Sequence, residues 1–102
     1  MLTSKQRAYL TSLAQPMKPI IQIGKNGLND PIKTSVRQAL DARELIKITL
    51  LQNTNEQVRD VADTLKTEIG CEVVRTIGRV AILYKISSKP ENQKLSARVK
   101  AL

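Results

Sequence analysis

The amino-acid sequence predicts an α+β domain, a two-layer arrangement in which helices pack on a mixed four-stranded β-sheet. The chain has 102 residues, which suffice for one domain but not for two. Its apolar residues recur at helical spacing in some segments and cluster with β-branched residues in others, giving the order α-β-α-β-α-β-β. The core must be aliphatic, because Trp and Phe are absent and Tyr9 and Tyr84 are the only aromatic residues.

Local signals mark the first helix and the first strand. Thr3 and Gln6 have the spacing of a capping box, and the apolar pattern after them predicts a helix over residues 3–14. Residues 19–23 form a β-branched run that ends at Gly24, which predicts a short strand.

The second helix and the second strand follow in the same way. Asn29 and Asp30 are both good N-cap residues and Pro31 suits a first helical turn, so a helix is predicted from there to about residue 42. Residues 45–50 alternate apolar and polar side chains, the pattern of a strand with one buried face. We therefore expect the helices to cover one face of the sheet best.

The third helix has the clearest pattern in the chain. Thr54 and Gln57 repeat the capping-box spacing, and apolar residues then recur at helical intervals up to Ile69. Gly70 follows as a left-handed stop, so the helix is predicted to end there.

The last predicted elements are a hairpin and a tail. Residues 72–77 and 80–86 are β-rich and are joined through residues 78–79, which predicts two antiparallel strands. The domain is predicted to span residues 1–86. Residues 87–102 are polar and basic, so we expect a tail that is partly helical or disordered and that is dispensable for folding.

The composition excludes several classes of function. The chain has no histidine, and its single cysteine, Cys71, allows neither a thiolate zinc cluster nor an intramolecular disulfide. We therefore expect no metal, no cofactor and no enzymatic activity. No apolar run approaches the roughly 20 residues of a membrane span, and the first residues lack the apolar stretch of a signal peptide, so a cytoplasmic protein without a membrane partner is expected.

The positive charge is concentrated at the two ends of the sequence. The net charge is +8, of which residues 1–25 carry +4, residues 26–74 carry −2 and residues 75–102 carry +6. Segregated positive charge favours a nucleic-acid partner, because basic side chains that neutralise phosphates release condensed counterions. The alternative is a basic surface that serves only solubility.

Two of the four glycines bracket a lysine and an asparagine where the first strand gives way to the second helix. In Gly24-Lys25-Asn26-Gly27 the glycines allow a sugar-phosphate chain to approach closely, and Lys25 adds a mobile positive charge. The helix that follows is expected to direct free N–H groups at the same place. The alternative interpretation is a tight turn, in which Asn26 and Gly27 merely supply left-handed residues.

Other basic residues strengthen the first interpretation. Lys5, Arg7 and Lys18 belong to the acid-free segment that leads into the loop, and Lys33 follows in the first turn of the second helix. Each of these side chains alone is most simply a solvated surface group, so the prediction depends on the cluster.

Several motifs together resemble the chloroplast RNA splicing and ribosome maturation (CRM) domain, and its stand-alone bacterial YhbY-like form in particular. The resemblance covers roughly residues 2–86 and includes the Gly-x-x-Gly loop. The motifs lie, in the order of the family, at residues 2–10, 18–28, 42–47, 77–79 and 83–84.

The resemblance implies an RNA-binding domain whose fold is similar to the C-terminal domain of bacterial translation initiation factor 3. It also implies precursor large-subunit ribosomal RNA as the bacterial partner. The implied RNA-contacting residues are Gly24, Lys25, Asn26, Gly27, Lys5, Arg7 and Lys18, to which we add Lys33 and Arg79. For Arg79 the alternative is that it only occupies a turn.

Three classes of function are compared. The leading hypothesis is a monomeric, non-catalytic module that holds the backbone of ribosomal precursor RNA with weak sequence selectivity. The alternative is a protein-interaction adaptor on the assembling ribosome, whose acidic third helix would bind a basic ribosomal protein. An enzyme is least favoured, since carboxylates such as Asp30, Asp41 and Glu44 suggest no paired acid and base. If roughly four to six phosphates are neutralised, the slope of log K against log salt should be about −3 to −4 on single-stranded RNA.

Overall fold

Four strands form one mixed sheet in the computed structural model, which describes residues 1–102. The order across the sheet is β1-β2-β4-β3, with β1 parallel to β2 and β4 antiparallel to both of its neighbours. The predicted mixed four-stranded sheet is therefore confirmed. The strands are β1 (Ile21–Ile23), β2 (Leu45–Leu50), β3 (Glu72–Ile77) and β4 (Val80–Tyr84).

The β3–β4 hairpin places β4 in the middle of the sheet. Gly78 adopts a left-handed φ of 57° in the two-residue turn, a conformation that glycine accepts without steric cost. Four successive residues of β4, Ala81 to Tyr84, are buried, as expected for a strand with neighbours on both sides and helices above and below. The strand ends at Tyr84, two residues before the predicted end.

The sheet has two ends, a loop end and a tail end. At the loop end, β1 and β2 both finish and the hairpin turn at residues 78–79 connects β3 to β4. At the tail end, β2 and β3 begin and β4 finishes at Tyr84.

The helices are α1 (Ser4–Ala14), α2 (Asp30–Arg43), α3 (Val58–Ile69) and α4 (Lys94–Lys100), with a 3-10 turn at Pro90–Asn92. No helix is long and apolar enough to cross a membrane. The predicted capping box of α1 is confirmed. The amide of Gln6 donates to Thr3 Oγ1 at 3.1 Å, and the amide of Thr3 donates to Gln6 Oε1 at 2.9 Å.

The capping box predicted for α3 is wrong. The helix begins at Val58, and its N-cap residue Gln57 makes no side-chain capping hydrogen bond. Thr54 instead closes a local turn, because its Oγ1 accepts from the amide of Glu56 at 3.2 Å. The predicted left-handed stop at Gly70 is confirmed, with φ 79°.

Helices cover both faces of the sheet. The larger core cluster joins α2 and α3 to one face through residues such as Leu40, Ile48 and Leu65. The smaller cluster joins α1 and α4 to the other face, where Leu10 and Val99 pack with side chains of β2, β3 and β4. This second helical layer was not part of the two-layer prediction.

Residues 87–102 pack against the tail end of the sheet, although we expected a dispensable tail. Val99 is buried in the smaller core cluster. Glu44 is fully buried, and Ser87 and Ser96 supply its hydrogen-bond partners. The hydroxyls of Tyr84 and Ser96 lie 2.6 Å apart. Few apolar residues are needed for this contact, because hydrogen bonds to a buried carboxylate hold the segment.

Candidate nucleic-acid interface

The Gly24–Gly27 loop is a tight turn at the loop end of the sheet. The amide of Gly27 donates to the carbonyl of Gly24 at 2.9 Å, and Gly27 has a left-handed φ of 66°. The amide of Asn29 then donates to the carbonyl of Gly27 at 3.1 Å, which leads the chain into α2. The loop is therefore a tight turn, but Gly27 is its only left-handed residue, and the expectation that Asn26 is also left-handed is wrong.

The corner of the turn presents unused donors to solvent. Lys25 and Asn26 are exposed, and neither side chain makes a hydrogen bond or ion pair within the protein. Their backbone amides also lack an acceptor within the protein. Amide, ammonium and carboxamide donors that converge on an exposed turn are suited to phosphate oxygens.

The start of α2 contributes less to this site than we expected. Asn29 Oδ1 already accepts the amide of Ile32 at 3.0 Å, and Pro31 has no amide hydrogen. The carboxylate of Asp30 also lies in the first turn, where its negative charge offsets the positive end of the helix dipole. The donors for an anion must therefore come mainly from the turn.

A segment that the sequence did not associate with the turn forms its second wall. Residues 51–57, called the polar loop below, connect β2 to α3. A Cβ on Gly27 would lie 2.7 Å from Glu56 Oε1, and a Cβ on Gly24 would lie 3.3 Å from Asn53 Oδ1. The space that a side chain would fill at each glycine is therefore taken by the polar loop.

A sequence signal for this contact exists. Residues 52–57 form an uninterrupted polar run immediately after a buried strand. Because β1 and β2 are parallel neighbours, the segments that follow them must emerge at the same end of the sheet. The polar run and the glycine turn are therefore adjacent.

Arg79 braces the polar loop. Its Nε donates to the carbonyl of Leu50 at 2.9 Å, and one of its terminal nitrogens donates to the carbonyl of Leu51. The guanidinium group is thus used in part to fix the chain where β2 passes into the polar loop. Arg79 lies at the loop end, and its contacts within the protein are structural.

Two more of the predicted cations are already engaged within the protein. One terminal nitrogen of Arg7 donates to the carbonyls of Val73 and Val74 at 2.8 and 2.6 Å, where the register of β3 shifts. Lys33 Nζ lies 2.9 Å from Glu68 Oε1.

The other two lysines of the predicted cluster are exposed and lack an ion-pair partner. Lys18 precedes β1, at the opposite end of that strand from the turn. Lys5 lies in the first turn of α1, near the tail end, where the amino group of Met1 is 3.3 Å from Glu72. The structure therefore separates both of them from the turn.

The acidic face considered for an adaptor is also divided. Glu56 precedes α3 and lies against Gly27, while Glu68 is paired with Lys33. Only Asp60 and Asp63 remain as exposed acidic residues of α3 without an ion pair. This arrangement does not favour a continuous acidic docking surface.

Comparison with known proteins gives a consistent result. The family model described as the CRS1/YhbY (CRM) domain matches residues 2–85. The "Probable RNA-binding protein YqeI" of Bacillus subtilis is 45% identical over 89 residues, which cover 87% of this chain and 93% of that protein. A probable RNA-binding protein of Pseudomonas aeruginosa is 30% identical and covers 93% of this chain and 90% of its own length.

A solved structure has the same fold. The solution structure of a Staphylococcus aureus protein, described as a candidate RNA-binding protein, superposes with a TM-score of 0.74 at 38% sequence identity. The match covers 92% of this chain and 98% of that chain.

Proposed function

The chain belongs to the CRS1/YhbY (CRM) domain family, and from this we propose that it is a non-catalytic protein that binds RNA through the Gly24–Gly27 turn. The names of its relatives support RNA as the partner. The observation that carries the assignment of the site is the exposed corner at Lys25 and Asn26, whose side-chain and backbone donors have no acceptor within the protein.

The turn is proposed to hold the RNA backbone. A phosphate would receive hydrogen bonds from the amides of Lys25 and Asn26, and the ammonium of Lys25 would balance its charge. Gly24 and Gly27 carry no side chain, which lets the polar loop pack against the turn, so the phosphate is proposed to lie at the corner formed by Lys25 and Asn26. Lys5 and Lys18, which lack ion-pair partners, would be outlying contacts for a longer RNA. Arg7, Lys33 and Arg79 would contact RNA only by giving up their partners within the protein.

Substitution of Gly27 by aspartate tests the site. Gly27→Asp adds a negative charge and a Cβ at the phosphate position, so we expect RNA affinity to fall about tenfold or more. Gly70→Asp is the matched control, since Gly70 also has a left-handed φ but lies at the end of α3, with no atom within 4 Å of the position that a Cβ would occupy. Both variants should lose about 1 kcal/mol or more of unfolding free energy from backbone strain, and Gly27→Asp should lose more, because its Cβ would lie 2.7 Å from Glu56 Oε1.

Affinity for a protein-free structured RNA, measured beside thermal unfolding, separates the interpretations. The proposal predicts that only Gly27→Asp loses binding beyond its loss of stability. Equal RNA affinity of the parent and a folded Gly27→Asp variant would refute the assignment of the turn as the RNA contact. Lys25→Ala should weaken binding and reduce the magnitude of the salt slope by about 0.7, whereas Lys66→Ala, an equally exposed lysine on α3, should leave it unchanged.

The biological RNA is proposed to be precursor large-subunit ribosomal RNA in the cytoplasm, as the family resemblance implies. Crosslinking in cells followed by sequencing of the bound RNA tests this directly. Enrichment of ribosomal precursor sequences is expected, and enrichment of messenger RNA would contradict it. A protein that crosslinks to ribosomal particles but does not bind protein-free RNA would instead be an adaptor for ribosomal proteins.

A further inference from the structure

A carboxylate lies directly beside the proposed phosphate site. Glu56 Oε1 is 2.7 Å from the position that a Cβ on Gly27 would occupy, and no hydrogen bond or ion pair within the protein engages this carboxylate. A negative charge there is unfavourable for a phosphate, because two like charges a few ångströms apart repel. Glu56 therefore does not bind phosphate as Lys25 is proposed to do, and another group of the ligand must be its partner.

The polar loop holds Glu56 in this position. The amide of Glu56 donates to Thr54 Oγ1 at 3.2 Å, and the amide of Thr54 donates to the carbonyl of Leu51 at 3.2 Å. Arg79 binds the carbonyls of Leu50 and Leu51 and so fixes the start of the loop. The backbone that carries Glu56 is therefore linked to the sheet through consecutive hydrogen bonds.

A carboxylate can only accept hydrogen bonds, so it selects for donors. Along a nucleic-acid backbone the phosphates offer no donor, and the ribose 2′-hydroxyl offers one. A strand whose phosphate is held at Lys25 and Asn26 would pass beside Glu56, because Glu56 Oε1 fills the space next to Gly27. A ribose hydroxyl is therefore the group of the ligand that best matches the charge and position of Glu56.

We propose that Glu56 is a specificity-determining residue, whose carboxylate accepts a hydrogen bond from a ribose 2′-hydroxyl of the strand held at Gly24–Gly27 and thereby selects RNA over DNA. This inference rests on the proposed function. Lys25 holds a phosphate and Glu56 excludes a phosphate from its own side of the turn, so the two residues together fix how the backbone lies across the glycines.

The test compares an RNA of about ten nucleotides with the DNA of the same sequence, using deoxyuridine in place of uridine. The parent should bind the RNA about tenfold more tightly, the effect of one hydrogen bond to a charged acceptor. Glu56→Ala should lose most of this preference, because RNA loses the hydrogen bond from its 2′-hydroxyl, whereas any relief of charge repulsion is shared by RNA and DNA. Glu56→Gln keeps a carbonyl acceptor and should retain part of the preference.

Asp63→Ala is the matched control, because Asp63 is an exposed acid of α3 without an ion pair, and its removal changes the net charge equally. This variant should keep the RNA preference of the parent. An undiminished preference in Glu56→Ala, or an equal loss in Asp63→Ala, would overturn the inference.

A second measurement uses only the parent protein, so its result does not depend on whether a variant folds. Single 2′-deoxy substitutions are placed along the RNA one at a time and titrated with the parent protein. One position in the bound register should account for most of the preference, and losses spread evenly along the strand would contradict the inference. If the parent binds RNA and DNA equally, only this inference fails, whereas a parent that binds no RNA also refutes the proposed function.

Discussion

At the scale of single residues, the contacts of a basic side chain decide its role more than its charge does. Arg7 and Arg79 both donate to backbone carbonyls of the sheet, and Lys47 Nζ donates to the carbonyls of Gln15 and Met17 just after α1. Such bonds satisfy acceptors that would otherwise need water. The sequence alone does not distinguish these three residues from Lys25, whereas their contacts in the structure do.

Cys71 provides a prediction at the same scale. The side chain is buried in the larger core cluster, and burial raises the pKa of its thiol to about 11. We therefore expect no reaction with thiol reagents at about pH 8 in the folded protein and rapid reaction in denaturant, because the thiolate is the reactive form.

The same shift makes the stability depend on pH. The unfolded thiol releases its proton near its ordinary pKa of 9.0, while the folded thiol keeps its proton until about 11. Deprotonation in this window favours the unfolded chain, so the unfolding free energy should fall between pH 9 and 11. Denaturant titrations of the parent and of Cys71→Ala measure the contribution of the thiol. A stability difference between them that does not change above pH 9 would contradict it.

At the scale of elements, the tail end is organised around Glu44. This residue has a φ of 66° and is fully buried. Its carboxylate accepts from the amide of Ser87 at 2.8 Å, from the amide of Ser96 at 3.1 Å and from the Ser96 hydroxyl at 2.5 Å. No side chain caps the start of α4, and the carboxylate of Glu44 accepts the amide of Ser96 in the first turn of that helix.

Truncation after Ile86 should therefore destabilise the domain, contrary to the expectation from sequence. The shortened chain would lose the burial of Val99 and leave the carboxylate of Glu44 without these three partners. Loss of the burial of a valine side chain costs about 1.5–3 kcal/mol, and the lost hydrogen bonds add to this cost even when water reaches the carboxylate. Denaturant unfolding measures this loss. A chain that ends at Lys100 is the control, because it removes only the exposed residues 101–102.

An unfolding free energy of the truncated chain equal to that of the parent would show that the tail is an independent appendage, as the sequence suggested.

Local signals predicted most elements, and non-local contacts account for the differences. The capping box of α1, the strand β2 and the stop at Gly70 each depend on neighbouring residues, and each is confirmed. Docking of α4 depends on hydrogen bonds to Glu44, about 50 residues away in the sequence. The glycine turn was predicted from four adjacent residues, whereas its contact with Glu56 needed the arrangement of the sheet.

At the scale of the whole molecule, the positive charge is spread over a body about 40 Å long. Lys25 lies at the loop end, Lys5 lies near the tail end, and the basic residues of α4 also belong to the tail end. The net charge of +8 is therefore a property of the whole surface and not of the turn. A short RNA at the turn would meet only part of this charge, while a longer RNA could reach both ends.

The salt dependence of RNA binding should reflect this distribution. Lys5, Lys18 and Lys25 lack partners, whereas Arg7, Lys33 and Arg79 already bind acceptors within the protein. Three neutralised phosphates give a slope of log K against log salt of about −2 on single-stranded RNA, shallower than the value expected when every predicted cation binds. Titrations between about 50 and 200 mM salt measure this slope. A slope near −4 would mean that the braced cations exchange their carbonyl and carboxylate partners for phosphates, and a slope near zero would exclude phosphate contacts as the basis of binding.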